Sequence, residues 1–487
     1  MKKYLFLITA VGLLTSCSDF GDLNQDPKEA KIGEAPPETL FAVATKQLSD
    51  QMTSTSVNRN IFRLFAQHWT ETTYTDETNY NLITRDQPGT HWNELYRDVL
   101  RDFDESRRLI NLDDTGLTPP AVVDNQLAII SILEVFTYHV LVDTFGNVPF
   151  TDAINIDNVL PTYDDDEEIY NAIIEDLDVA LAMLTVGEES FGSSDLIYGG
   201  DVSAWVKFAN SLKLRLAVRI AKVNPSKAAT MATEAVAGGV FESNSDNASF
   251  QYLSADPNTN PVWVDLVQSG RQDFIPANTN VDIMNSLEDP RRKIYYDDNL
   301  DGDYIGGIYG SNSPYRNYTH LGSIFHQPET PGILLDYPEV EFLLAEAAEL
   351  SLVGTPADAE VHYNNAIIGS FVFWNAGDEV QELSPTAVAT AYLTKPEVAY
   401  ATAATTWQEK IAVQKWIHLF NRGFEAWTTY RLYGYPTMNV PEISGEDVPR
   451  RYTYPIDEPS VNGGSYAAAS EAMGGDTKAS RIFWDVE

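Results

Sequence analysis

Across 487 residues, 71 acidic side chains oppose 32 lysines and arginines. The formal net charge of −39 disfavours nucleic acid and anionic lipid and leaves small neutral ligands and cations as partners. Hydrophobic residues make up 44% and aromatics 11%, which excludes a disordered chain and suffices for a large core.

The chain opens with Lys2 and Lys3 and then a mostly apolar run from Tyr4 to Leu14. This run is shorter than the ~20 residues that span a bilayer, so residues 1–16 read as a signal peptide. The run ends in LLTSC, at Cys17, the only cysteine. A lone thiol closes no disulfide and cannot build a zinc or iron–sulfur site. LLTSC resembles the lipobox of bacterial lipoproteins, which implies cleavage before Cys17 and its lipidation. Each buried methylene of such an anchor contributes roughly 0.8 kcal/mol. Loss of residues 1–16 removes two lysines and no acid, so the charge of −39 becomes −41. No second apolar stretch is expected to approach membrane-spanning length.

Residues 17–33, with NQDPKEAKIGEAPP at their end and beyond, are too polar and proline-rich for an element and read as a tether. The body, 34–487, begins with a helical part, 34–242. In HWNELYRDVLRDFDESRRLI the residues Trp92, Leu95, Tyr96, Val99, Phe103 and Ile110 share one face at the helical period. NQLAIISILEVFTYHVLVDTFG is apolar nearly all round, as a central buried helix is. DDDEEIYNAIIEDLDVALAML opens with acids and places Ile169, Ile173, Leu177, Leu181 and Leu184 on one stripe. WVKFANSLKLRLAVRIAKVNP carries Trp205, Phe208, Leu212 and Leu216 on one side. Its Lys213, Arg215, Arg219 and Lys222 form a basic patch best explained by pairing with neighbouring acidic helices.

From 243 to 336 the periodicity collapses into Asn, Asp, Gly, Pro and Tyr, which predicts a loop-rich lobe. Helices resume over 337–435. Pro338 suits a first turn in YPEVEFLLAEAAEL, and a capping box from Thr406 to Glu409 opens TWQEKIAVQKWIHLF, with Gly423 separating it from the next helix. Residues 436–487 read as irregular structure. Helix pairs recur without a fixed period, so any repeats are degenerate.

G-x-G, Walker, G-x-S-x-G and H-E-x-x-H motifs are all missing, which removes the commoner nucleotide, esterase and zinc-protease readings. Asp297, Asn299, Asp301, Gly302 and Asp303 match the first half of a calcium loop, with Asp297, Asn299, Asp301 and Asp303 as oxygen ligands. Ile308 stands where the closing Glu belongs. A glycosidase would need two carboxylates held a few ångströms apart, and with so many acids the sequence nominates no pair. Aromatics in polar loops are the stronger signal. Trp69, Tyr74, Tyr80, Trp263 and Tyr315 are the candidate ligand contacts, since flat rings stack on sugars or apolar side chains while neighbouring amides supply hydrogen bonds.

The motifs SCSDFGDLNQDP, VDTFGNVPFTDA, WVKFANSLKLRLAVRI, EDPRRKIYY, YPEVEFLLAEAAEL, VQKWIHLFNRGFEAW and RRYTYPIDEPSVN occur in this order and resemble the SusD/RagB family, most closely its SusD-like second branch. The resemblance implies an all-α fold, built from degenerate tetratricopeptide-like helix pairs that support binding loops. It implies a lipoprotein on the outer membrane, facing the cell exterior. Such a protein is not an enzyme and needs no cofactor. It captures an oligosaccharide or peptide and passes it, as a lid, to a SusC-like TonB-dependent transporter. Gly146 and Pro149 would shape a turn, and Asp289, Pro290 and Arg291 the entry to the irregular lobe. The competing class is a surface glycosidase or lyase on a helical scaffold.

Overall fold

Helices start where a residue can do without, or cap, the first free amides. The computed structural model describes residues 35–113 and 115–486; the signal segment, Cys17 and the tether lie outside the described residues. Proline opens α1 (Pro37–Thr53), which buries Phe41, Ala44 and Leu48. A single helical turn, Phe62–Phe65, leads to β1 (Trp69–Glu71). Asp86 caps α2 (Gln87–Asn93), which passes through a π-helical stretch, Glu94–Leu100, into α3 (Arg101–Leu112). The sequence predicts one regular helix here. The wider π turn shifts the period, so adjacent Val99 and Leu100 are both buried.

Next comes α4 (Pro120–Phe145), long and apolar enough to span a bilayer by length and composition, contrary to the expectation of no second such stretch. Most of it is instead buried in the fold, and Gly146 ends it with φ +80° where a Cβ would strike Met473. The helices α5 (Asp166–Met183) and α6 (Val202–Ile220) are capped by the carboxylates of Asp165 and Asp201, and α7 (Pro225–Gly238) by Asn224. The alanine-rich α7 carries no wide apolar stripe and is not evident from the sequence.

The irregular lobe contains β2 (Ala248–Phe250), β3 (Phe274–Pro276), α8 (Asn278–Ser286) and β4 (Gly332–Leu335). Two small antiparallel ladders order it: β1 to β3, with Trp69 opposite Pro276, ties the lobe to the helical part, and β2 to β4, with Ala248 opposite Leu335, joins its two ends. Then follow α9 (Tyr337–Glu349), α10 (Ala359–Phe373), α11 (Pro385–Tyr392), α12 (Trp407–His418) and α13 (Gly423–Tyr433). At Gly423 the chain runs against the Phe62–Arg63 backbone, and a Cβ would sit 2.2 Å from the Arg63 nitrogen. The tail is less irregular than expected, since it holds α14 (Gly463–Ala472). Consecutive helices pack as pairs, α4 with α5, α6 with α7, α9 with α10 and α12 with α13. The fold is helical, with degenerate tetratricopeptide-like pairs.

The basic residues of α6 are consumed inside this scaffold. Arg215 forms a two-pronged bond with Glu339 at 2.8 and 3.0 Å, while Arg219 shares one terminal nitrogen between the two oxygens of Glu425 at 3.1 and 3.0 Å. Lys213 bridges Asp178 and Glu234, and Lys222 donates to the Leu432 carbonyl. Burial pushes the Glu425 carboxyl up, but Arg219, Arg215 and Lys415 outweigh it and hold the group well below its usual range. Internal pairing, not anion binding, is the work of this patch.

Candidate functional site

The short β1–β3 ladder organises a set of exposed loops. Thr72, just beyond β1, donates its backbone N–H to Asp273 and its hydroxyl to Gln272, at 2.9 and 2.7 Å. Its carbonyl accepts the N–H of Ser313 at 2.9 Å. Asn79 donates to the Gly310 carbonyl at 2.8 Å, while its own oxygen accepts from the Ser444 backbone at 3.1 Å. Three segments, 72–79, 308–315 and 439–446, are thereby fastened together. They expose Tyr74, Ile308 and Ile443 at 65%, 53% and 70% of their surface.

Beneath them lies a hydrogen-bonded base. Gln67, held at φ +52°, donates to the Tyr80 hydroxyl at 3.0 Å and to the Asn439 carbonyl at 2.7 Å. Its oxygen accepts from the Asn439 backbone and the Thr279 hydroxyl. The two ends of the Tyr74 loop are joined by acids: Glu71 accepts both the N–H and the hydroxyl of Thr78 at 3.0 and 2.9 Å. Glu77 accepts from Arg85 at 2.7 Å and Gln87 at 2.9 Å. Burial, then the hydrogen bond and charge of Glu77, raise the Glu71 carboxyl well above its ordinary range. Folding thus favours the protonated form of Glu71. A loop anchored in this way presents its aromatic residue without the ordering cost of a free chain.

The five aromatic candidates separate on this geometry. Tyr74 is the exposed one. Trp69 and Tyr80 are 1% and 0% exposed, which corrects their assignment as ligand contacts. Trp69 packs among Phe274, Phe325 and Phe420, and Tyr80 against Phe65 and Tyr309. Trp69 sits in β1, whose three residues are all buried, and Tyr80 ends the turn Glu77–Asn79 in a left-handed conformation that turns its ring inward. Tyr315 is half-buried and stacks on His320 at 3.8 Å and 16°. Trp263 is half-buried on a one-turn helix apart from this set, where neighbouring Asp265 accepts from Thr55 at 2.8 Å. Gln67, Asn79 and Asn439 carry no sequence signal, since their partners lie far away along the chain.

Two open grooves lie on the surface, one of them bordering the loops at Asn79 and Glu446. One, of about 400 Å³, runs between Asn79–Ile83 and Glu446, Asp476 and Lys478. The other, of about 610 Å³, lies by Arg292, Asp297, Asp298 and Tyr304. The proposed calcium ligands do not converge there. Asn299 spends its amide on the Tyr318 carbonyl and its oxygen on the His320 N–H, both at 2.9 Å. Asp298, not one of the four, takes the Gly302 N–H at 2.5 Å. Among the described residues no group of three or more His, Cys, Asp or Glu side chains is placed to hold a metal ion.

One buried chain has the connectivity of a hydrolytic triad. His418 Nδ1 lies 2.9 Å from Ser370 Oγ and Nε2 lies 2.9 Å from Asp336. The imidazole is reversed relative to such triads, Ser370 is fully buried, and its oxygen also accepts from Arg291 at 2.9 Å. The hydroxyl is not offered to a substrate. Nor are Glu71 and Glu77 an accessible acid pair, being 3% and 0% exposed.

A family model named SusD-like, described as starch-binding and associating with the outer membrane, matches residues 27–455. The chain is similar to a solved chitin-binding protein at 26% identity and a TM-score of 0.77, covering 93% of this chain and 100% of that one. It is similar to a chitin-binding SusD homologue of Flavobacterium johnsoniae at 26% identity and a TM-score of 0.74, over 93% of this chain and 98% of the other. A SusD homologue of Bacteroides uniformis aligns at 26% identity and a TM-score of 0.75, over 92% and 100%. No curated protein gives a significant match.

Proposed function

The chain belongs to the SusD-like family, and on that premise we propose that it binds an oligosaccharide on the outer membrane, using the loops that carry Tyr74. The observation that supports this reading most is Tyr74 itself, an exposed ring on a loop whose two ends are fastened through Glu71 and Thr78. Asn81, Thr477 and Asp476 in the adjoining groove offer donors and acceptors to hydroxyl groups. A net charge of −39 favours a neutral or cationic sugar over an acidic one. Because two of the similar structures are chitin-binding proteins, chito-oligosaccharides are the first ligands to try, and starch fragments the second.

The same proposal makes the protein a lipoprotein anchored through Cys17, facing outward, and a lid over a SusC-like TonB-dependent transporter. Delivery limits affinity, because a lid that released its ligand too slowly would starve the pore. Binding at micromolar strength or weaker corresponds to about 8 kcal/mol or less. The protein hands its ligand on without cleaving it. Co-purification with the transporter encoded beside it, from membranes solubilised in mild detergent, tests the lid. Recovery of the protein alone, with lipid attached, would refute that partner while leaving glycan binding standing.

A further inference from the structure

Two carboxyl groups lie inside the base of the Tyr74 loop, one at each end of it. Glu71 is the last residue of β1 and Glu77 the first of the turn Glu77–Asn79. Neither side chain reaches solvent, and two negative charges held close together away from water disfavour each other's ionisation.

The compensation around them covers one charge. Arg85 donates to Glu77 at 2.7 Å and, among the described residues, is the cation that pairs with these acids. Gln87 joins it at 2.9 Å with a neutral amide, and Glu71 receives the N–H and hydroxyl of Thr78, which are also uncharged. The titratable groups that face the pair from other elements are phenols. Tyr309, from the 308–315 segment, faces Glu71, and Tyr452, from the tail, faces Glu77; burial keeps both neutral.

One oxygen of the pair has no donor. Glu77 Oε1 accepts from Arg85 and Gln87, whereas its Oε2 is buried without a hydrogen-bond partner. Buried polar atoms are rarely left so, and an exception calls for a cause. A protonated carboxyl is a donor, so a proton on Glu71 gives the carboxylate of Glu77 its missing partner. It also leaves one carboxylate against one guanidinium.

We propose that Glu71 and Glu77 form a proton-operated latch on the Tyr74 loop. Holding one proton, the pair joins the two ends of the loop and fixes the ring between them. Without it, two carboxylates face each other beside a single arginine, and the segment 72–79 loosens. Loop order is therefore greatest in acid and falls as the pH rises. Glycan affinity follows it, a consequence that rests on the reading of Tyr74 as a ligand contact, which the latch itself does not need.

Hydrogen exchange on the full-length protein without ligand tests the latch, read on residues 72–80 and corrected for the intrinsic rate at each pH. Between about pH 5 and about pH 9 the protection of this segment should fall about tenfold while that of α4 is kept. In Glu71→Gln the amide donates at every pH, so the segment should stay protected throughout. Protection that ignores pH in the natural protein, or that falls equally in Glu71→Gln, would overturn the latch. If that variant does not fold, Glu77→Gln, which removes the same repulsion, is judged the same way. Titration with chitohexaose at both pH values reads the coupling to the ligand, which should weaken about tenfold in step with the loop. A loop that loosens with unaltered affinity would overturn that coupling. No binding at either pH would refute the glycan reading, and the exchange result then decides the latch alone.

Discussion

The backbone N–H of Ser313 donates to the carbonyl of Thr72 at 2.9 Å. Each residue stands two positions from an aromatic candidate, Tyr315 and Tyr74, so this bond couples the two loops most suited to hold a ligand. It also separates roles within one short stretch, since Trp69 and Tyr74 lie on either side of the end of β1.

Tyr74→Ala is expected to weaken oligosaccharide binding at least tenfold, with an unaltered melting temperature, because an exposed ring contributes nothing to the core. Trp69→Ala should instead cost about 3–5 kcal/mol of stability, the range for deleting a large buried aromatic. Chemical denaturation and ligand titration on both variants measure the contrast. Equal effects on stability would erase the distinction between rim and core.

Glu71 links the loop to pH. A carboxyl raised on folding contributes its full stability below the ordinary value of 4.5 and loses it as the pH climbs toward the raised value. Deprotonation then sets Glu71 against Glu77, whose side chain accepts from Arg85 and Gln87. In Glu71→Gln the amide can donate permanently. Its melting temperature should match the natural protein near pH 4.5 and exceed it increasingly above. A constant difference across the range would mean that Glu71 is not shifted by folding.

In the turn around Asp297 to Asp303, Asp298 accepts the Gly302 N–H and the Asn299 side chain is spent on Tyr318 and His320. Millimolar calcium should therefore leave the melting temperature where a chelator leaves it. A rise on adding calcium would show that the loop rearranges to bind the ion.

Lipidation is tested at Cys17. Cys17→Ala should release the protein from the membrane or leave the precursor uncleaved, and it should end acyl labelling. Membrane association and labelling that survive the substitution would remove the anchor.

Much of the scaffold was legible because it repeats one physical rule. The apolar period of α5 and α6 and the unbroken apolar character of α4 identify helices without knowledge of their partners. The π-helical stretch was hidden, since Leu95, Val99 and Phe103 satisfy a regular helix equally well. In the site, the polar run QHWTETTYTDETNY pointed to a binding loop. It could not say which rings face outward, because that depends on the pairing of β1 with β3, far along the chain. The partners of Arg215, 124 residues distant, and the convergence of Gln67 with Asn439, 372 residues distant, leave no local trace.

Calorimetric titration of the purified protein with chito-oligosaccharides and maltooligosaccharides, followed by chromatography of the recovered sugar, addresses the main proposal most directly. Saturable binding at micromolar strength or weaker is expected, lost in Tyr74→Ala, with the sugar recovered intact. Binding that is indifferent to Tyr74, absence of binding to any neutral glycan, or shortened sugar chains would contradict it.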